Sequence, residues 1–274
     1  MTLSRSDHAR LESEMQALKA KGLPFAMATV VRTVDATSAK PGGKALLDQD
    51  GNILVGWVGG GCARGAVGKA AREAIKTAKP QLISLRPQEA LDTEGLVAGD
   101  VHEGIRFARN GCPSKGTMDV FVEPVLPLPE VVICGTGLVA MALCDLATRF
   151  DYSVAMHAAA KVEPDTEVTV GFDIDASDFI VVATQGQGDM DALRAAARAN
   201  CAYVSFVGSS RKFNALCARI VAESPELKPA LNQIRAPAGL NINAITPDEI
   251  ALSILAEMTH LRRANVGARG AQDV

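Results

Sequence analysis

Val131-Val132-Ile133-Cys134-Gly135-Thr136-Gly137-Leu138-Val139-Ala140 is a short apolar run followed by G-x-G-x-x-A and a helix-period segment. Consecutive apolar residues closed by glycine read as a strand buried on both faces. The two glycines permit a sharp turn and let a phosphate come close to the backbone, and Ala140 lets the helix pack on the sheet. Downstream, β and α segments alternate, with strands over 153–158, 179–184 and 203–207. Such alternation predicts a parallel sheet with helical crossovers, so residues 131–274 read as a Rossmann-like domain. A dinucleotide site would add an acidic residue about 20 positions after the turn, to hold the adenosine ribose. That place is taken by His157 or Ala158. A Rossmann-like fold is therefore better supported than NAD binding.

Two loops leave the carboxyl ends of the later strands, where open α/β sheets bind ligands. One is Thr184-Gln185-Gly186-Gln187-Gly188-Asp189 and the other Gly208-Ser209-Ser210-Arg211-Lys212. With Gly135 and Gly137, the residues Thr184, Gln185, Ser209, Ser210 and Arg211 are candidates for a phosphate or nucleotide site, through hydroxyls, backbone N–H groups and a cation. The same serines suit a solvated loop with ordinary helix caps.

Upstream, Glu123-Pro124-Val125-Leu126-Pro127-Leu128-Pro129-Glu130 carries three prolines and reads as an extended connector. This divides the chain into an α+β domain over 1–123, a linker over 124–130 and the Rossmann-like domain over 131–274. The first domain reads as a helix to Lys21, strands at 25–33, 44–47 and 53–58, a helix over 63–77, then strands at 82–85, 105–108 and 118–122. Within it, Gly56-Trp57-Val58-Gly59-Gly60-Gly61-Cys62-Ala63-Arg64-Gly65-Ala66 feeds one cysteine into the start of a helix. Gly59, Gly60 and Gly61 can bring backbone N–H groups to an anion. The helix dipole and Arg64 both favour a thiolate at Cys62. A tight turn with Cys62 as a small buried hydrophobe fits the same residues.

At 274 residues the chain is long enough for two cores. Apolar residues make up 48% and charged residues 22%, yet the apolar runs break well before the length of roughly 18 residues that spans a bilayer, so no membrane segment is expected. The first 21 residues mix charge with Leu11, Met15 and Leu18 at helical spacing, unlike a signal peptide, and a cytoplasmic protein is expected. A net charge of −3 with 4% aromatics argues against nucleic-acid binding. The six cysteines form no C-x-x-C pair, so a structural zinc site is not expected. Cys134, Cys144, Cys201 and Cys217 fall in core-like segments, which leaves Cys62 and Cys112, each beside a glycine. Thr246-Pro247-Asp248-Glu249 is a capping box that opens a final helix, and the tail over 265–274 is expected to fray.

In this order, the residues Gly56 to Gly65 with Cys62, CPSKGTMDVFVEP from Cys112 to Pro124, the Gly135–Ala140 turn, Thr184–Asp189, Gly208–Lys212 and Gly239–Glu257 resemble the XdhC/CoxI family, accessory factors of molybdenum hydroxylases. The resemblance implies a cytoplasmic, homodimeric chaperone that binds molybdenum cofactor in its mononucleotide or dinucleotide form. It would hold that cofactor while a cysteine desulfurase exchanges an oxo ligand for sulfur, and insert it into an apo molybdenum hydroxylase such as xanthine dehydrogenase or CO dehydrogenase. By the same carry-over Cys62 is the contact to the metal and Cys112 the second thiol. Gly59 stands where the family commonly has serine, and Lys115 where small residues are usual. The residues leave two other functions open: an NAD(P)-dependent oxidoreductase using the Rossmann-like half, and a thiol-based sulfur carrier or redox sensor acting through Cys62.

Overall fold

The computed structural model describes residues 5–35, 37–112, 115–160, 167–174, 178–199 and 201–271. Its contacts divide the chain into one unit of Met1–Pro127 together with Val266–Val274, and another over Leu128–Asn265.

The first unit runs α1 (Arg5–Ala20), β1 (Phe25–Val34), β2 (Lys44–Leu47), β3 (Ile53–Gly56), α2 (Gly61–Thr77), β4 (Gln81–Arg86), α3 (Gln88–Thr93), β5 (Val101–His102), β6 (Ile105–Arg109) and β7 (Thr117–Val125). Its seven strands form a mixed sheet in the order β3-β2-β1-β7-β4-β6-β5. α2 lies across this sheet because Ala63, Val67, Ala70, Ala71 and Ala74 recur at helical spacing and are buried. Small side chains bring its axis close to the strands. At Gly68 a Cβ would sit 2.6 Å from the Gly51 carbonyl, so this contact admits only glycine. The core beneath α2 gathers Val30, Leu47, Ile83, Leu85, Val120 and Val122, all essentially without solvent contact. Leu11 and Leu18 of α1 pack with Phe25 and Leu46 in a separate cluster.

The second unit runs β8 (Glu130–Cys134), α4 (Leu138–Arg149), β9 (Ser153–Ala158), β10 (Val168–Val170), β11 (Phe179–Val182), α5 (Asp189–Arg198), β12 (Tyr203–Phe206), α6 (Ser210–Glu223), a 3₁₀ turn at Pro225–Leu227, α7 (Lys228–Leu231) and α8 (Pro247–Ala271). All its strand pairs are parallel. The order β10-β9-β8-β11-β12 reverses direction between β8 and β11, as in a Rossmann sheet. Alternate residues of β8 enter opposite cores. Val131 and Ile133 meet Leu143 of α4 and Ile254 and Met258 of α8, while Val132 and Cys134 meet Leu193 of α5 and Phe213 of α6. Burial on both faces is why this strand reads as an unbroken apolar run.

Three sequence expectations differ from the structure. The 124–130 linker is shorter, because β7 continues to Val125 with Pro124 opposite Ala26, and β8 begins at Glu130. Proline is tolerated there because β7 pairs with β4 only as far as Val122, so beyond that point β7 has a neighbour on one side only. The strand expected over 53–58 ends at Gly56, whose φ of +97° turns the chain out of the sheet. The tail stays helical through Ala271, and residues 272–274 lie outside the described residues.

Candidate functional site

In the first unit three loops meet at one end of the sheet. Val34 of β1 pairs with Thr117 at the start of β7, which places Thr37 and Ser38 there. Arg86 and Arg109 are partners at the ends of the parallel strands β4 and β6, and Asn110 N–H donates to the Arg86 carbonyl at 2.7 Å. The chain that follows β6 therefore passes over the end of β4. The first turn of α2 completes the cleft. Gly59, at φ +123°, makes the turn into the helix, and Gly60 N–H donates to Ser38 Oγ at 3.2 Å.

A cavity of about 260 Å³ opens between these loops, lined by Ser38, Gly60, Gly61, Cys62, Gly111 and Cys112 over an apolar floor of Leu85 and Met118. The structure thus brings together Cys62 and Cys112, which are 50 positions apart in the chain, and both are exposed. Gly111 makes the approach possible: a Cβ at that position would touch Cys62 Sγ at 3.4 Å. Asn110 shapes the loop, accepting Cys112 N–H at 3.1 Å through Oδ1 and donating through Nδ2 to the Gly116 carbonyl at 2.6 Å. Pro113 and Ser114 of the sequence motif lie outside the described residues. Lys115 turns away to pair with Glu89, and this bond and the lysine charge hold the Glu89 carboxyl below its ordinary value.

No side chain caps α2, and the N–H groups of a first helical turn have no acceptor within the helix. Together with the helix dipole they favour an anion at this mouth. Ser38 accepts from Gly60 through a lone pair, which leaves a hydroxyl its O–H to donate. Burial pushes the Cys134 thiol up to about 12 and raises those of Cys144 and Cys217, which favours the neutral thiol at all three.

Two candidates of the first unit sit otherwise than expected. The Arg64 guanidinium lies over the Trp57 ring, 4.7 Å from its centroid, and Arg64 does not line the cleft. Gly59 also lies behind the lining, where a Cβ would meet that of Ala63 at 2.8 Å. Both therefore support the turn from outside the cavity. Sequence reasoning missed Ser38, whose surroundings read as an ordinary connector, and Asn110, although Asn110-Gly111 is a recognisable turn signal.

The candidates of the second unit fall at separate places on it. Gly135 and Gly137 lie at the reversal between β8 and β11. Gly135, at φ +125°, donates its N–H to the His157 carbonyl at 2.6 Å, and a Cβ there would collide with the Ala183 carbonyl. The Gln185 carboxamide lies against Gly137 and fills the space a Cβ would take. Thr184 donates to Asp189 Oδ1, which also accepts Gly186 N–H at 3.0 Å, and Lys212 Nζ stands 2.6 Å from Oδ2. Burial would raise the Asp189 carboxyl, but these bonds and the lysine charge outweigh it and hold the group below its ordinary value. Lys212, expected in a phosphate loop, is thus an internal counter-ion. Ser209 caps α6, accepting Lys212 N–H at 3.2 Å, and lines a cavity of about 580 Å³ with the 237–244 loop. Ser210 donates to the Ala236 carbonyl at 3.4 Å, and Arg211 is exposed. His157 is buried beside β10, its Nδ1 3.3 Å from the Gly171 carbonyl.

Among the described residues, no group of three or more His, Cys, Asp or Glu side chains is placed to hold a metal ion. None of the helices so described is long and apolar enough to cross a membrane.

Comparison with known proteins matches residues 131–258 to the XdhC Rossmann domain and residues 18–86 to the XdhC and CoxI family. The uncharacterized protein YqeB of Escherichia coli K12 is 28% identical over 271 residues, covering 91% of this chain. The chain spans 46% of the length of that relative. Among solved structures, one described as a xanthine dehydrogenase from Bacillus halodurans is 19% identical with a TM-score of 0.44, covering 92% of this chain and 95% of that one. An engineered D-amino acid dehydrogenase bound to NADP+ is 15% identical with a TM-score of 0.27, covering 38% of this chain and 32% of that one.

Proposed function

The chain belongs to the XdhC and CoxI family, and from that premise we propose that it is a maturation chaperone for a molybdenum hydroxylase of the xanthine dehydrogenase or CO dehydrogenase type. In this reading it holds molybdenum cofactor in the cleft of the first unit. A cysteine desulfurase supplies sulfur to the held cofactor, and an apo-hydroxylase receives it from a homodimer of this chain.

The observation that carries the reading is the convergence of Cys62 and Cys112 on one cavity at the uncapped start of α2. The donor set fits. Two thiols do not make a closed site for a bare ion, but they suit a thiophilic metal that arrives with ligands of its own. The first-turn N–H groups of α2 and the Ser38 hydroxyl suit an anionic group beside it. When bound, the cofactor supplies a metal centre with an exchangeable terminal ligand and an anionic phosphate. Cys62 would face the metal end, while Gly60 and Gly61 leave the backbone bare for close approach. The cavity, at about 260 Å³, lies just under the roughly 300–1,000 Å³ usual for small-molecule sites, so it suits one end of the cofactor.

The competing reading, an NAD(P)-dependent oxidoreductase, loses support from two features of the second unit. Gln185 lies on Gly137, where a pyrophosphate would pass, and β9 ends in His157 and Ala158 without a carboxylate for the ribose.

Anaerobic incubation of wild type, Cys62→Ser and Cys112→Ser with molybdenum cofactor, followed by gel filtration, tests the proposal. Near-stoichiometric molybdenum and pterin on the wild type, and a loss of retention in Cys62→Ser, are expected. Absence of retention by the wild type would overturn the reading.

A further inference from the structure

Two thiols in one cavity can do what one cannot. Sulfur delivered by a desulfurase is sulfane sulfur carried in a persulfide, whereas the sulfur that replaces an oxo ligand is sulfide, two electrons more reduced. A single cysteine can accept sulfane sulfur and hand it on unchanged. A second thiol within reach can supply the missing electrons by becoming a disulfide partner.

The cleft has the parts for this. Cys62 sits in the first turn of α2, whose N–H groups have no acceptor within the helix and no side-chain cap. Its Sγ lies 3.4 Å from where a Cβ of Gly111 would be, which puts it beside the residue that immediately precedes Cys112. Consecutive Cα atoms are about 3.8 Å apart, so the Cys112 backbone is one residue step beyond this contact. Gly111 has no side chain to fill the space beside Cys62 Sγ, Cys62 and Cys112 line the same cavity, and the loop that carries Cys112 is joined to β6 at Asn110. Both cysteines are exposed, so a persulfide donor and a reductant can reach them.

We propose that Cys62 and Cys112 form a dithiol that converts sulfane sulfur to sulfide inside the cleft, an inference that rests on the reading of this cavity as the cofactor site. The Cys62 thiolate attacks the outer sulfur of a donor persulfide. The donor S–S bond breaks, the donor leaves as a thiol, and Cys62 carries the persulfide. The Cys112 thiolate then attacks Cys62 Sγ. A Cys62–Cys112 disulfide forms and the outer sulfur leaves as hydrosulfide, taking up the proton that Cys112 gave. The departing sulfur gains two electrons and the two cysteine sulfurs lose one each. An external thiol reductant resets the pair. The N–H groups at the start of α2 hold the hydrosulfide where the cofactor end is placed.

The test uses the full reduced chain, one equivalent of glutathione persulfide and no other reductant, under anaerobic conditions. Released sulfide is assayed, and peptides are mapped by mass spectrometry without reduction. Wild type is expected to release one sulfide per chain with a matching Cys62–Cys112 disulfide. Cys62→Ser should do neither, and Cys112→Ser should accumulate persulfide on Cys62 without releasing sulfide. Circular dichroism checks that each variant folds. Sulfide release by Cys112→Ser equal to that of wild type, or absence of the disulfide in wild type, would overturn the proposal. Cofactor retention measured on the same samples separates the two readings. Retention without sulfide release removes the dithiol alone, and sulfide release without retention removes the cofactor reading instead.

Discussion

Replacing Asp189 by alanine removes an acceptor on which three groups depend. Its side chain is 7% exposed. Thr184 Oγ1 and Gly186 N–H both donate to Oδ1, while Lys212, 41% exposed, pairs with Oδ2. Lys212 can turn to water, so the loss of its ion pair costs about 1 kcal/mol or less. The buried Thr184 hydroxyl has no such escape, whereas Gly186 is exposed and its N–H can turn to water in part; hydrogen bonds to a charged group are worth about 1.5–3 kcal/mol each. Allowing for partial relaxation, Asp189→Ala should destabilise the second unit by about 2–4 kcal/mol, which speeds amide exchange through its opening by about 30- to 1,000-fold. Asp189→Asn keeps an oxygen for both donors and gives up only the charge, so it should cost about 1 kcal/mol. Peptide-resolved hydrogen exchange over β11 and α5 reads the two variants against wild type. Equal losses in both would refute the reasoning, because charge pairing, and not satisfaction of buried donors, would then carry the site.

The same carboxyl sets an acid limit. Its pKa is held below its ordinary value in the folded chain, so its stabilisation is fully present above that ordinary value and is lost as pH falls through the folded pKa. Urea midpoints of wild type should therefore drop below about pH 4 by more than those of Asp189→Asn. At Gly59, φ of +123° and a Cβ position 2.8 Å from that of Ala63 predict that Gly59→Ser costs about 1–3 kcal/mol; a thermal melt unchanged from wild type would contradict this. Gln185→Ala should clear the space over Gly137 and tighten ADP-ribose binding at least about tenfold, roughly 1.4 kcal/mol, by calorimetry. Equal affinity in wild type and variant would show that Gln185 is no barrier.

The Rossmann-like sheet was legible because its signals are local. Strand, glycine turn and helix follow one another within residues 131–140, and β11 is an apolar run buried on both faces. β10 escaped notice because it is a three-residue edge strand with two exposed positions, which leaves no periodicity to read. β5, with two exposed residues, escaped for the same reason. In the cleft, Cys62 announced itself through the glycines before it, but its meeting with Cys112 depends on β4 pairing with both β6 and β7, which no local pattern encodes. Arg64 misled because sequence proximity to Cys62 suggested a shared role. Two residues along a helix is a step to a different face, and the guanidinium found an aromatic ring there instead.

That ring is the only tryptophan of the chain, and it belongs to the first unit, whereas both tyrosines, Tyr152 and Tyr203, belong to the second. The protein is therefore labelled for optical work by its own composition. Light absorbed selectively by indole reports on the unit that carries Cys62 and Cys112, and tyrosine ellipticity reports on the other. Arg64, whose guanidinium lies over that ring, belongs to the opening turns of α2, so a rearrangement at the start of this helix is expected to change Trp57 emission, which can be followed without attaching a dye.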